Sequence, residues 1–141
     1  MRYILLILVF YSDSFSQSTT KIKITVTGLR NNPGQVGIRF FNQPNGFPSE
    51  RKNASKEYFL KSADNKAIFE IDNLEFGEYA IGTIHDENSN SEFDTNFLGI
   101  PKEGFGASNN PKIKMGPPSY DSAKFSFSKT DQSLEIKMNY F

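Results

Sequence analysis

Apolar and polar residues alternate along several short stretches of the chain. In KIKITVT (21–27) Ile22, Ile24 and Val26 alternate with Lys and Thr, and in QVGIRFF (35–41) Val36, Ile38 and Phe40 fall on one face. A period of two sends successive side chains to opposite faces of an extended backbone, so each stretch predicts a half-buried β-strand. Between them GLRNNPG supplies turn chemistry, and strand, turn, strand predicts a hairpin. The polar segment 42–56, with two prolines and a glycine, predicts a long exposed connection. EYFLKSA (57–63) fits a short edge strand. KAIFEID (66–72) alternates again, with Ile68 or Phe69 starting the inward face, and NLEFGEYAIGTIHD (73–86) reads as a turn and a further strand.

After a long loop from Asp86 to Pro111, KIKM (112–115) is a brief strand candidate, and Pro117-Pro118 is a candidate cis peptide. AKFSFS (123–128) and SLEIKMNYF (133–141) both alternate, the second most clearly through Leu134, Ile136, Met138 and Tyr140. No segment holds a helical period over ten residues. About seven short strands with polar turns predict an all-β protein, an antiparallel two-sheet β-sandwich, with a closed barrel as the alternative.

The pattern also isolates the N-terminus. Met1-Arg2 precedes the apolar run YILLILVFY, and Ser14 and Ser16 stand like the small residues of a cleavage site. The stretch 1–16 therefore reads as a secretory signal peptide. Its nine apolar residues are too few for a span, which needs about twenty. Export to the periplasm or cell exterior is expected, with residues 17–141 as one monomeric domain. The 141-residue chain has no cysteine, so disulfides and thiolate metal sites are ruled out. Sixteen basic and sixteen acidic residues balance, which speaks against nucleic acid as a partner. Fourteen Phe alongside many Gly and Pro agree with the β-rich reading.

Within FEIDNLEFGEYAI the spacing aromatic-x-Ile-x-x-Leu-x-x-Gly-x-Tyr-x-Ile resembles the segment of prealbumin-like and related sandwich modules in which Leu74 plugs the core, Gly77 allows a tight turn and Tyr79 begins the next strand. That resemblance implies a tyrosine corner, a structural role for the Tyr79 hydroxyl. Further along, GEYAIGTIHDENSNSEFDTNFLGIPKEGFGASNN followed by GPPSYDSAKFSF resembles the bacterial DUF2141 family, secreted domains of uncharacterised function. The usual form of the loop in that family is H-D-x-N-x-N-G-x-x-D, and here Ser91 stands at the Gly position.

The candidate chemistry lies in that loop. With Asp86 as position 1, Asn88, Asn90, Glu92 and Asp94 occupy positions 3, 5, 7 and 9. Side-chain oxygens at 1, 3, 5 and 9 with a backbone carbonyl at 7 match the first part of an EF-hand-type calcium loop. Position 12 is Phe97 rather than the bidentate Glu, and Asp94 or Glu103 could supply the missing carboxylate. Few charged ligands imply weak binding, roughly 10⁻⁴–10⁻³ M, as in extracellular modules. Alternatively Asp and Asn bond their own backbone, and DENSNSEFD is a chain of Asx-turns without metal. Between Ala67 and Pro101 there are eight acidic residues and no Lys or Arg, a repulsion that a divalent cation would relieve.

His85 is the single histidine and has no nucleophile motif beside it, so a structural hydrogen bond to the loop is expected, and zinc is disfavoured. Phe97, Phe105 and Tyr120 either fold the long loop onto the sandwich or form a patch for a glycan or protein ligand. Three functions fit these features: a binding or accessory module with a calcium-organised loop, a hydrolase using the acidic loop, or a structural domain of the envelope.

Overall fold

The computed structural model describes residues 19–141, so the segment 1–16, read above as a signal peptide, lies outside the described residues. Eight strands appear in the order β1 (Lys21–Thr27), β2 (Gln35–Phe41), β3 (Lys56–Leu60), β4 (Ala67–Asp72), β5 (Gly77–Asp86), β6 (Gly104–Ala107), β7 (Phe125–Phe127) and β8 (Asp131–Lys137). One sheet runs β4-β1-β8. The other runs β3-β2-β5-β6, with β7 paired to the first residues of β5. The two sheets enclose one core, so the chain is the all-β sandwich that the alternation predicts.

The predicted hairpin of β1 and β2 does not form, because the two strands belong to different sheets. Ile22, Ile24 and Val26 on β1 and Val36, Ile38 and Phe40 on β2 are all fully buried in the same core. Paired side by side, these two apolar faces would both need a third element to cover them. Facing each other across the sandwich, they cover one another. Segment 28–34 makes the crossing, starting at Gly28 with φ +75° and burying Leu29.

The antiparallel expectation holds for five pairings and fails for the sixth. β8 runs parallel to β1 from Lys21↔Asp131 to Thr27↔Lys137. Its predicted inward face is correct: Ile136 and Met138 are buried, and Leu134 and Tyr140 pack against the same core. In β4 the inward set is Ala67, Phe69 and Ile71, with Ile68 on the outside.

The long loop after Asp86 contains β6, which alternation could not show because its inward residues are glycines. A Cβ on Gly104 would lie 2.5 Å from a Tyr140 ring carbon, and one on Gly106 would lie 2.8 Å from the Lys137 carbonyl oxygen. The end of the chain thus passes directly over β6, fixed by Phe105 and Asn139 exchanging backbone hydrogen bonds of 3.0 and 2.8 Å. With that edge occupied, KIKM forms no strand and Met115 is 96% exposed. A single helical turn, α1 (Tyr120–Ala123), was also hidden from the pattern; Ser119 caps it by accepting the Ser122 N–H. The one cis peptide among the described residues is Phe47-Pro48, not Pro117-Pro118.

The tyrosine corner is present. The Tyr79 hydroxyl donates to the Glu75 carbonyl at 2.8 Å, and Leu74 is buried. Burial raises the Tyr79 phenol above its usual pKa. The turn itself uses Asn73, at φ +60°, as its left-handed residue. Gly77 is already in β5, beneath the Tyr79 ring.

Candidate functional site

β5 delivers Asp86 to the end of the five-stranded sheet, on the face turned away from the core. Strand pairing sets Gln35 of β2 opposite it. The Asp86 carboxylate is fully buried and its oxygens accept three hydrogen bonds. Oδ2 accepts from the Ser91 N–H at 2.8 Å and from Gln35 Nε2 at 2.8 Å, and Oδ1 accepts from the Asn90 N–H at 3.1 Å; its backbone oxygen also accepts from the Ser89 N–H at 3.3 Å. The loop is thereby coiled around a single side chain. Ser89 and Ser91 sit at φ +57° and +63°, the left-handed region that costs a serine more than a glycine. Ser91, position 6 of the loop, therefore makes the sharp turn.

The remaining polar side chains bond one another and the loop backbone. Asn88 and Asn90 both donate their side-chain amides to Asp94 Oδ2, at 2.8 and 3.0 Å. Their Oδ1 atoms accept the backbone N–H groups of Asn90 and Glu92. Glu92 enters through that N–H, and its side chain is exposed. Asp86, Asn88, Asn90 and Asp94 are thus brought into one hydrogen-bonded group, with the Asx-turns of the metal-free reading formed within it. Phe97 is well outside the coil, 94% exposed.

Glu103, just before β6, closes the coil. It is buried, and its two carboxylate oxygens accept the Glu87 and Asp94 N–H groups at 3.2 Å each. Burial, with Asp94 and Asp86 nearby, holds its pKa above the usual carboxylate value. On the other side Glu87 pairs with Arg30 at 2.7 Å, and that guanidinium holds the Glu87 carboxyl below its usual range. Gln35 had no local signal in the sequence, since only strand register places it against Asp86. Among the described residues no three carboxylate or imidazole groups converge on one point, so any cation here would need amide and carbonyl oxygens to complete its shell.

His85 points the opposite way, into the core. Nε2 faces the Pro33 carbonyl at 2.9 Å, which can only accept, so the ring carries its proton there. Nδ1 then accepts from the Tyr140 hydroxyl at 2.7 Å. The expected structural bond is made, but to segment 28–34 and the end of the chain rather than to the 86–94 coil. Both ring nitrogens are engaged.

Asp94 links the coil to a second feature. Its carbonyl accepts from the Lys102 N–H at 3.0 Å, starting a small two-armed loop that closes with Thr95 opposite Pro101 and turns at Gly99, φ +77°. Asn96 secures the tip by accepting the Leu98 and Ile100 N–H groups. This loop forms one wall of a cleft of about 540 Å³ on the outer face of the five-stranded sheet. Gly82, Ile84 and Phe105 make its floor, and residues 114–118 its opposite wall. Pro48 crosses one end so closely that a Cβ on Gly82 would lie 2.6 Å from its carbonyl oxygen. Of the three aromatics in question, Tyr120 is buried with Phe41 and Phe47, and Phe105 stacks on Phe141 at 5.5 Å. Phe97 alone stands clear of the sandwich.

Fold and site together define a β-sandwich module with an oxygen-rich coil and an apolar cleft on one sheet face. The chain belongs to the family described as "Uncharacterized protein conserved in bacteria (DUF2141)", whose profile matches residues 24–135. Searches of curated proteins and of solved structures return no match. Among the described residues no helix is long and apolar enough to cross a membrane.

Proposed function

We propose that this protein is an exported, monomeric binding or accessory module in which calcium organises the 86–103 loop as the wall of a ligand cleft. One observation carries the reading: Asp94 belongs both to the oxygen-rich coil and, through Lys102, to the loop that walls the cleft. The donor set suits a hard cation. Asp86 and Asp94 would supply charge, Asn88 and Asn90 would turn their amide oxygens inward, and Glu92 would offer its carbonyl. Burial raises the Glu103 pKa and the nearby Asp94 and Asp86 charges add to the rise; a divalent ion would offset that added negative charge. Calcium would act structurally, holding Asp94 and hence the wall. Of the two ligand classes the sequence suggests, a glycan fits the cleft poorly, because its hydroxyls need polar partners and the lining is mostly apolar.

The test is thermal unfolding with calcium or with EDTA. At about 10 mM calcium and a Kd of roughly 10⁻⁴–10⁻³ M the gain is about 1–3 kcal/mol. Asp86→Asn and Asp94→Asn should each remove it. An unchanged melting temperature in calcium would refute the calcium reading. A hydrolase would show turnover that these variants abolish, and a purely structural domain would respond to neither treatment.

A further inference from the structure

We infer that the cleft holds the alkyl chain of a single-chain anionic amphiphile, with Lys114 pairing with the head group. The assignment rests on the reading of the cleft as the ligand site and names the occupant. Ile84, Phe93, Ile100, Phe105, Met115 and Pro117 surround the space with carbon. Polar atoms are few. The Thr83 hydroxyl is engaged with the Gly37 carbonyl at 2.9 Å, and the Ser49 carbonyl with Arg39 at 2.9 Å.

The floor is the face of a sheet, not its edge. β6 is paired to β5 on one side and bridged to Asn139 on the other. A peptide laid here would therefore find no strand to extend, and its backbone groups would lose water without gaining partners. An alkyl chain carries no such groups. The charge of the lining gives the second half of the argument. Its single ionic side chain is Lys114, exposed at the rim, and no Asp or Glu side chain lines the cleft. A cleft of about 540 Å³ is within the range of roughly 300–1,000 Å³ that small-ligand sites occupy.

The experiment is calorimetric titration of the whole protein with laurate, methyl laurate and dodecylamine below their aggregation concentrations, in calcium and in EDTA. Laurate should bind one to one and more tightly than the other two. Lys114→Glu should weaken laurate about fivefold and leave methyl laurate unchanged. Ile100→Asp, at a half-exposed position that should not disturb folding, should weaken both roughly tenfold or more. Equal binding of laurate and dodecylamine would overturn the assignment of Lys114. No binding of any chain, in calcium or in EDTA, would overturn the proposal, as would a concentration-dependent dimer that Ile100→Asp dissolves and laurate does not. Laurate binding that is identical in calcium and EDTA would keep the acyl site and refute calcium control of its wall, so the two readings fail separately.

Discussion

The two faces of the five-stranded sheet are built to opposite rules. The inner face presents Val36, Ile38, Phe40, Tyr79 and Ile81 to the other sheet, in one continuous apolar layer. The outer face carries Gly37, Arg39, Phe41, Ala80, Gly82, Ile84 and Asp86, covered by irregular chain instead of a second sheet. On the inner face the aliphatic and Phe side chains are satisfied by shape alone, and the few polar atoms, on Tyr79, Thr83 and His85, bond uncharged partners. The outer face buries two charges, and each is held by specific partners: Arg39 by Glu57 at 2.8 Å and the Ser49 carbonyl, Asp86 by the coiled loop. The face that needs named partners, and that keeps a cleft open, is the one proposed above to bind a ligand. The inner face is the support that holds it still.

Substitutions can test that contrast. Phe40→Ala, in the middle of the inner layer and edge-on to Tyr58 and Tyr79, should cost about 3–5 kcal/mol in chemical denaturation, and calcium should not restore it. Asp86→Ala leaves the Asn90 and Ser91 N–H groups and Gln35 without their acceptor. The expected loss is about 2–3 kcal/mol, accompanied by a wall that no longer forms the cleft. If Asp86→Ala proved as mild as an exposed change, the outer face would not depend on that carboxylate. Tyr79→Phe removes one hydrogen bond at the corner and should cost about 1 kcal/mol without altering ligand or calcium binding.

The smallest effect concerns pH. The Glu87 carboxyl has a lowered pKa in the fold, so its contribution is present above its ordinary value of 4.5 and is lost as pH falls through the lowered one. Arg30 and Glu87 are both partly exposed, so screening holds the contribution below about 1 kcal/mol. Glu87→Gln should therefore be slightly less stable than the parent at neutral pH and equal to it in acid. Buried Glu103 works in the other direction. Its raised pKa favours the fold at low pH, and that benefit fades as pH rises through the raised value. Stability curves of both proteins from neutral to acid pH would separate the two contributions.

What could be read before folding was whatever depends on neighbours in the chain. The inward faces of β1, β2 and β8 follow from alternation, because burial imposes a period of two on any strand with one face in the core. The Tyr79 corner and the coil from Asp86 to Asp94 were legible for the same reason: their hydrogen bonds join residues within a few positions of each other. β6 was not, since Gly104 and Gly106 are dictated by Tyr140 and Lys137, far along the chain. The partner of each strand was equally hidden. Alternation says that a face is apolar but not which apolar face will cover it, and so β1 and β2 separate into two sheets while β8 returns parallel to β1. Gln35 beside Asp86, Glu103 closing the coil and the cleft over Gly82 and Ile84 all arise from contacts between distant segments. Their physical cause is packing in three dimensions, which no one-dimensional period records.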